Sequence, residues 1–139
     1  MLIPFGPQLI GETEKTLNAL LRRSLDDTGL TEPQWVTLRL ADLLDGAVGT
    51  DGLVAAVADR AHFADAPDLV AVLTDRGLLA DGRLTANGRE LYDTVRARTS
   101  AQSAPLWDGL PADDVAATAR VLNEVLARAH AMLADSDVA

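Results

Sequence analysis

The sequence of 139 residues contains no cysteine, which excludes disulfide bonds and thiolate metal sites. No segment approaches the roughly 20 apolar residues that span a bilayer, and the apolar start at residues 1–5 lacks the basic region and the length of a signal peptide. Aromatic residues number five, whereas alanine, leucine and valine dominate an apolar fraction of 48%. This composition favours packed helices over stacked sheets. We expect one cytoplasmic domain, residues 1–139.

Positive charge is also scarce. The formal net charge is −9, which argues against nucleic acid because phosphate contacts need lysine or arginine. The acidity is uneven: residues 1–52 carry eight acids and four bases, residues 99–139 six and two, and residues 53–98 seven acids against six arginines. The central segment is therefore nearly neutral, which permits DNA binding without predicting that it is strong.

The stretch from Leu69 to Leu91 organises the rest of the chain. Apolar residues at helical spacing over 69–73 predict a helix, which the glycine at position 77 ends. Two short strands follow, Leu78–Ala80 and a return strand from Arg83, joined by the dipeptide Asp81-Gly82, which suits a two-residue turn because both positions need positive φ. The threonine at position 85 can cap the next helix. This order is typical of the second half of a winged helix-turn-helix.

The flanking segments predict further helices. The first runs from about Gln8 to Asp27, and Thr31 caps the second, with proline in its first turn. The glycine-rich stretch 46–52 indicates a loop before a third helix capped by Asp51. Residues 60–64 form the turn that leads to the recognition helix, residues 65–76.

Proline and acidic residues mark the second half of the chain. Asp65 is a good N-cap for the recognition helix. The helix after the hairpin runs from Thr85 to about Ser103, where Pro105 stops or kinks it. The last helix opens near Pro111 with acids at the favourable end of its dipole. The fold class predicted is mostly α with a small β-hairpin wing.

Two motifs in this stretch resemble the multiple-antibiotic-resistance regulator (MarR) family. They are L-x-D-R-G-L-L, residues 73–79, and R-L-T-x-x-G-R, residues 83–89, and segments 29–35 and 110–114 agree with the same family. The resemblance implies a winged helix-turn-helix with long N- and C-terminal dimerisation helices. It places the dimerisation segments at residues 1–30 and 100–139 and the core at residues 31–98. The alternative is a monomer that folds both end helices over its own core, which would leave an apolar patch exposed.

The resemblance also implies roles for single residues. In relatives the arginine of the wing enters the minor groove, where the negative potential attracts it, and here that residue is Arg83. Candidate DNA-binding residues are Arg60, His62, Asp65, Asp68, Arg83 and Arg89. Arg60 and His62 would contact phosphates from the turn, or they are plain surface residues. For Arg83 the alternative is an arginine that only solvates the tip of the hairpin. Asp65 and Asp68 would meet phosphates poorly, although aspartate can accept from a cytosine amino group, and they also fit as a cap and a first-turn acid.

Relatives bind small aromatic effectors in a cleft between the dimer helices and the winged core. Trp35, Arg39 and Tyr92 fall on helices that line this cleft, so they are candidate ligand-binding residues. Ordinary core packing with a surface arginine is the alternative. His62, Asp65 and Asp68 make a weak metal set, and no catalytic spacing appears. We expect neither a cofactor nor an enzyme.

The function implied is a transcriptional regulator that binds double-stranded DNA as a homodimer at a pseudo-palindromic site, modulated by a small aromatic ligand. The alternative is a winged-helix protein that no longer binds DNA and acts through protein partners or ligand sensing. The acidic balance, the acidic start of the recognition helix and the short wing support this second interpretation.

Overall fold

The computed structural model describes the backbone of residues 2–138 and the side chains of residues 2–135. Within this range there are six helices and one two-stranded antiparallel sheet, in the order α1 Pro7–Ser24, α2 Glu32–Leu44, α3 Gly49–Arg60, α4 Ala66–Asp75, β1 Leu79–Ala80, β2 Arg83–Leu84, α5 Ala86–Trp107 and α6 Ala112–Val138. The predicted fold class, mostly α with a hairpin wing, is confirmed. The chain forms two compact units, residues 1–102 and 103–139.

Helix α2 lies at the centre of the first unit, as its apolar residues on several sides predict. It packs against α3, α4 and the hairpin strand β2. Thr31 caps it through a capping box, in which its hydroxyl accepts from the Gln34 amide while the Gln34 side chain accepts from the Thr31 amide. The buried apolar side chains around this helix include Trp35, Leu38, Ala41, Leu53, Val57, Leu69, Val70, Leu73, Leu79, Tyr92 and Val95.

A Schellman motif connects α4 to the hairpin. Gly77, with φ of 76°, follows the C-terminal end of the helix. The amide of Leu78 donates to the Leu73 carbonyl at 3.0 Å, and the amide of Gly77 donates to the Thr74 carbonyl at 2.9 Å. The turn of the hairpin has positive φ at both Asp81 and Gly82, 54° and 78°, as predicted for this dipeptide.

The Thr85–Gly88 part of the family motif joins the hairpin to α5. The Thr85 hydroxyl donates to the Gly77 carbonyl and accepts from the Gly88 amide at 3.0 Å, so it caps α5 as predicted. The Thr85 amide donates to the Leu78 carbonyl at 3.1 Å. A Cβ on Gly88 would collide with that same carbonyl oxygen. The motif therefore places glycine where the backbones of hairpin and helix touch.

Two local predictions are wrong, and a third is wrong in part. The loop expected over residues 46–52 ends earlier, because α3 begins at Gly49. Asp51 consequently lies inside the first turn of α3 and is not its cap. Pro105 does not stop α5, which continues to Trp107; a proline in the last turn removes one amide donor, while the amide of Asp108 still reaches the Ala104 carbonyl at 3.0 Å.

Helix α6 makes up most of the second unit. Its large apolar side chains among the described residues are exposed within the single chain, between 39% for Leu122 and 70% for Met132. They recur at helical spacing and include Val115, Leu122, Val125, Leu126 and Leu133. No helix among the described residues is both long and apolar enough to cross a membrane.

The contact at Gly88 yields the first prediction. Gly88→Ala should destabilise the protein by about 2 kcal/mol, because the new methyl group meets a backbone carbonyl that cannot move without breaking the α4–hairpin joint. Gly11→Ala is the matched control: it lies inside α1, where a Cβ would find nothing within 4 Å, and it should stabilise by roughly 0.5–1 kcal/mol. Urea unfolding measures both, and equal effects of the two substitutions would contradict this account.

Candidate nucleic-acid interface

The turn of the helix-turn-helix lies between α3 and α4. Helix α3 ends at Arg60, and His62 then takes a left-handed conformation with φ of 58°, which gives the chain a sharp change of direction. Phe63 packs against the core, while the side chains of Arg60 and His62 are exposed. Both predicted phosphate-contacting residues therefore reach solvent at this turn.

Helix α4 presents an acidic and apolar face to solvent. Its inner face consists of Ala66, Leu69, Val70 and Leu73, all buried. Asp65 occupies the N-cap position, as predicted, but its side chain makes no cap hydrogen bond, because its backbone is not in the extended conformation that aims a cap. The exposed side chains from the cap to the last turn are Asp65, Pro67, Asp68, Ala71, Val72, Thr74 and Asp75. None of these is a cation.

Arg76 follows α4 directly, and its side chain reaches residues at and before the start of α2. Its guanidinium donates to the Gly29 carbonyl at 3.1 Å and to the Gln34 side chain at 3.4 Å. Arg76 therefore ties the end of α4 to the segment before α2. Since Gln34 also belongs to the capping box of α2, the ends of the two helices share one small polar cluster.

The wing is short and lies against the segment between α2 and α3. A Cβ on Gly82 would collide with the Gly49 carbonyl oxygen, so the tip of the hairpin touches the first turn of α3. Arg83 is exposed, and its guanidinium donates to the Asp45 carbonyl at 3.4 Å. The side chain passes over Gly46, where a Cβ would collide with it. Arg83 thus has a defined position on the surface.

Arg89, one turn into α5, is paired with acids. Its guanidinium lies 2.7 Å from the Asp42 carboxylate and 3.6 Å from that of Asp93. The hydrogen bond to Asp42 is the main reason why the pKa of Arg89 is raised. The same guanidinium lies 5.7 Å from the centre of the Tyr92 ring, a cation–π distance.

The aromatic residues predicted to bind a ligand lie together in the core. Trp35 and Tyr92 are each 3% exposed, and their rings stack at 5.1 Å between centroids with 20° between the planes. Arg39 is exposed. The two rings cover each other, which agrees with core packing, and a ligand between them would have to separate the stack.

Burial raises the pKa of Tyr92, and the nearby Asp42 carboxylate raises it further. Arg96 and Arg39 act in the opposite direction. The hydroxyl is therefore held neutral beside a carboxylate. Among the described residues, no group of three histidine, aspartate or glutamate side chains is arranged to hold a metal ion, and this includes the predicted weak set around His62.

Comparison with known sequences identifies the domain. The sequence profile described as a helix-turn-helix family matches residues 41–135, more than half of the chain. The chain belongs to this helix-turn-helix family. Among proteins whose functions are curated, none matches it.

Solved structures confirm the similarity to MarR-family regulators. CouR from Rhodococcus jostii, bound to p-coumaroyl-CoA, superposes with a TM-score of 0.70 at 24% identity, over 84% of this chain and 88% of CouR. A MarR family protein of Mycobacterium tuberculosis in complex with salicylic acid gives 0.67 at 26% identity, over 88% and 98%. The same protein in complex with DNA gives 0.65 at 26% identity, over 89% and 98%. The fold is thus the MarR-type winged helix-turn-helix.

Three residues that position the arginines of this winged helix-turn-helix were not predicted from the sequence. Gln34, Asp42 and Gly46 provide contacts for Arg76, Arg89 and Arg83 in turn. Asp42 follows the tryptophan of α2 by seven residues, two helical turns, so it shares a helix face with a predicted ligand-binding residue. The contacts of Gln34 and Gly46 are long-range and left no signal in the local sequence.

The tyrosine cluster yields the second prediction. Tyr92 is the chain's one tyrosine, so the pH-dependent change in absorbance at 295 nm reports the ionisation of this residue. The midpoint of that titration should lie above 10, the ordinary pKa of tyrosine. Because the pKa of Tyr92 is higher in the folded than in the unfolded protein, the neutral phenol stabilises the fold. This contribution is complete below pH 10 and is lost as the pH rises through the pKa of the folded protein. The free energy of unfolding of the wild-type protein should therefore fall more between pH 8 and pH 11 than that of Tyr92→Phe. A titration midpoint at or below 10 would be incompatible with the stacked, buried ring.

Proposed function

We propose that this protein is a transcriptional regulator of the MarR type that binds double-stranded DNA as a homodimer at a pseudo-palindromic site in the cytoplasm. The observation that carries the proposal is the similarity to a MarR family protein solved in complex with DNA, which covers 89% of this chain. The exposed α4 and the wing beside it support the same function. Solved relatives that are transcriptional regulators favour a regulator over an enzyme.

In the proposed complex, α4 occupies a major groove and the wing lies on the adjacent minor groove. Arg83 is suited to the minor groove because its guanidinium is exposed and its carbonyl partner leaves the positive charge uncompensated. Arg60 and His62 would contact phosphates beside α4. Asp65 and Asp68 would accept from cytosine amino groups, since the exposed face of α4 offers acceptors and alkyl groups.

The homodimer would be built by the end helices. The apolar stripe of α6 is exposed in the single chain, and α1 exposes Ile10 and Leu20 at 37% and 38%. Exposed apolar stripes of this length mark interaction surfaces. Twofold symmetry would also place two α4 helices about one turn of DNA apart, roughly 34 Å, as a pseudo-palindrome requires.

The third prediction tests the homodimer. Light scattering should give twice the mass of the chain for wild type, whereas Leu122→Glu with Leu126→Glu should give a monomer or an aggregate, because both charges enter the proposed interface. Ala131→Glu is the matched control, since it lies on the opposite side of α6 and should remain a dimer. A wild-type monomer, or loss of the dimer in the control alone, would refute the interface.

A small aromatic ligand would act on the α2–α5 side of the core. The relatives bound to p-coumaroyl-CoA and salicylic acid support a ligand of this class. We propose that Trp35, Arg39 and Tyr92 bind it, with Arg39 facing its acidic group. Because Trp35 and Tyr92 are stacked in the structure, binding would require the two rings to part and should change tryptophan fluorescence.

A second candidate function rests on the surface of α4. Its exposed face carries Asp65, Asp68 and Asp75 and no cation, and Arg89 is already paired with acids. This acidic surface favours a winged-helix protein that no longer binds DNA and acts through protein partners or ligand sensing. The two functions differ in one simple observation, which is whether the protein shifts duplex DNA.

The fourth prediction therefore concerns DNA affinity. A mobility shift at low salt with DNA from upstream of the protein's own gene should show binding. The logarithm of the binding constant should fall with the logarithm of the salt concentration along a slope of about −4, as expected if Arg60 and Arg83 of two subunits each neutralise one phosphate charge, Arg83 from within the minor groove. Arg83→Ala should weaken binding to all sequences. Arg98→Ala, the same charge change far along α5, should have little effect.

Two results would change this conclusion. A slope of about −8 or steeper with Arg83→Ala silent would mean that another basic surface binds the DNA. The absence of any shift at low salt would refute the regulator and favour the second candidate function.

A further inference from the structure

Two arginines next to the wing rest on the C-terminal turn of α2. Arg83 donates to the carbonyl of Asp45, the residue that follows α2, and Arg89 pairs with the carboxylate of Asp42, one turn earlier. The C-terminal end of a helix carries the negative end of its dipole. This turn is therefore a negatively polarised surface of the protein, and it holds Arg83 and Arg89 near the DNA-binding face proposed above.

The two arginines are held by groups of different charge. Arg83 contacts a neutral carbonyl at 3.4 Å, a long hydrogen bond that fixes its direction and leaves its charge available. Arg89 contacts a carboxylate at 2.7 Å, with a second carboxylate, Asp93, at 3.6 Å. Among the described residues, the charge of Arg89 is therefore paired with carboxylates, whereas that of Arg83 meets only the weaker dipole of a backbone carbonyl.

Asp42 is the firmer of the two carboxylate partners. Its side chain is 28% exposed, against 58% for that of Asp93, so water screens its interaction with Arg89 less. Asp42 also stands beside the buried hydroxyl of Tyr92, whose pKa it raises. Tyr92 is stacked on Trp35 of the same helix as Asp42. The carboxylate is thus fixed from several sides, while the Asp93 carboxylate is on the open surface of α5.

We propose that Asp42 is an affinity-determining residue of this protein: it competes with DNA phosphate for Arg89. The proposal rests on the function proposed above. A phosphate that approaches the start of α5 must take Arg89 from Asp42 and leave a partly buried carboxylate without its partner, next to the negative backbone of DNA. The exchange gains little free energy, so Arg89 contributes little to DNA affinity while the Asp42 carboxylate is its partner.

A double-mutant cycle tests the competition. Wild type, Asp42→Asn, Arg89→Ala and the double variant are compared by fluorescence anisotropy on the upstream DNA. In the wild-type background Arg89→Ala should change affinity less than twofold. In the Asp42→Asn background, where Arg89 is released from that carboxylate, the same substitution should cost about five- to tenfold, because it removes two exposed arginine–phosphate contacts, one from each subunit. It should also reduce the salt slope by about one for each Arg89 that engages.

The controls separate competition from a general change of charge and from misfolding. Asp93→Asn removes the same charge beside the same arginine but keeps Asp42, so it should raise affinity less than Asp42→Asn does. The titration of Tyr92 checks the fold of Asp42→Asn: the phenol should still titrate as a buried group, with a lower midpoint than in wild type. If Asp42→Asn does not fold, the near-silence of Arg89→Ala in wild type is still a test.

The outcomes are distinct for the two proposals. Equal losses on Arg89→Ala in both backgrounds, or a loss above fivefold in wild type, would overturn the role of Asp42 while leaving DNA binding intact. No binding by any of the four proteins would overturn the proposed function and this inference with it. A strong interaction between the two positions, with Arg89 needed only when Asp42 is neutral, would support the competition.

Discussion

The joint between α4, the hairpin and α5 is the constraint on which the rest of the winged helix-turn-helix depends. Leu78 stands at its centre: its amide bonds back to α4, and its carbonyl accepts from Thr85 while leaving room for no side chain at Gly88. With α4 and α5 fixed to the two ends of a short hairpin, the wing cannot swing freely. Its tip then touches the first turn of α3, so all parts of the winged helix-turn-helix are held in one arrangement.

Much of this joint was predictable because its chemistry is local. Positive φ at Gly77, Asp81 and Gly82, and the Thr85 cap, follow from residue types at fixed spacing, and the structure confirms them. The start of α3 was not, because glycine is a poor helix former and the three glycines of residues 46–52 indicate a loop, whereas Gly49 begins the helix with a positive φ of 67°. The partners of the arginines are far away in the chain. Binding of DNA or of a ligand by the predicted site residues depends on a second molecule, which local sequence patterns do not describe.

Charge is the second determinant of this protein's behaviour. With a net charge of −9 and an α4 face without cations, the proposed DNA contacts depend on a few arginines in the turn before α4 and around the wing. There the fold treats its arginines differently, because Arg76 and Arg83 meet neutral acceptors and Arg89 meets carboxylates. A regulator built in this way would obtain its affinity from a few well-placed contacts and from twofold symmetry. It would depend little on a broad basic surface.

The most direct test of this account uses the absence of cysteine. A single cysteine introduced at the exposed wing position (Ala80→Cys) or on the exposed face of α4 (Ala71→Cys) can carry an iron–EDTA group that cuts nearby DNA. The account predicts cuts in the minor groove from the wing and around the adjacent major groove from α4, each at two positions related by the dyad of the upstream site. Absence of cutting, or cuts spread evenly along the duplex, would contradict it.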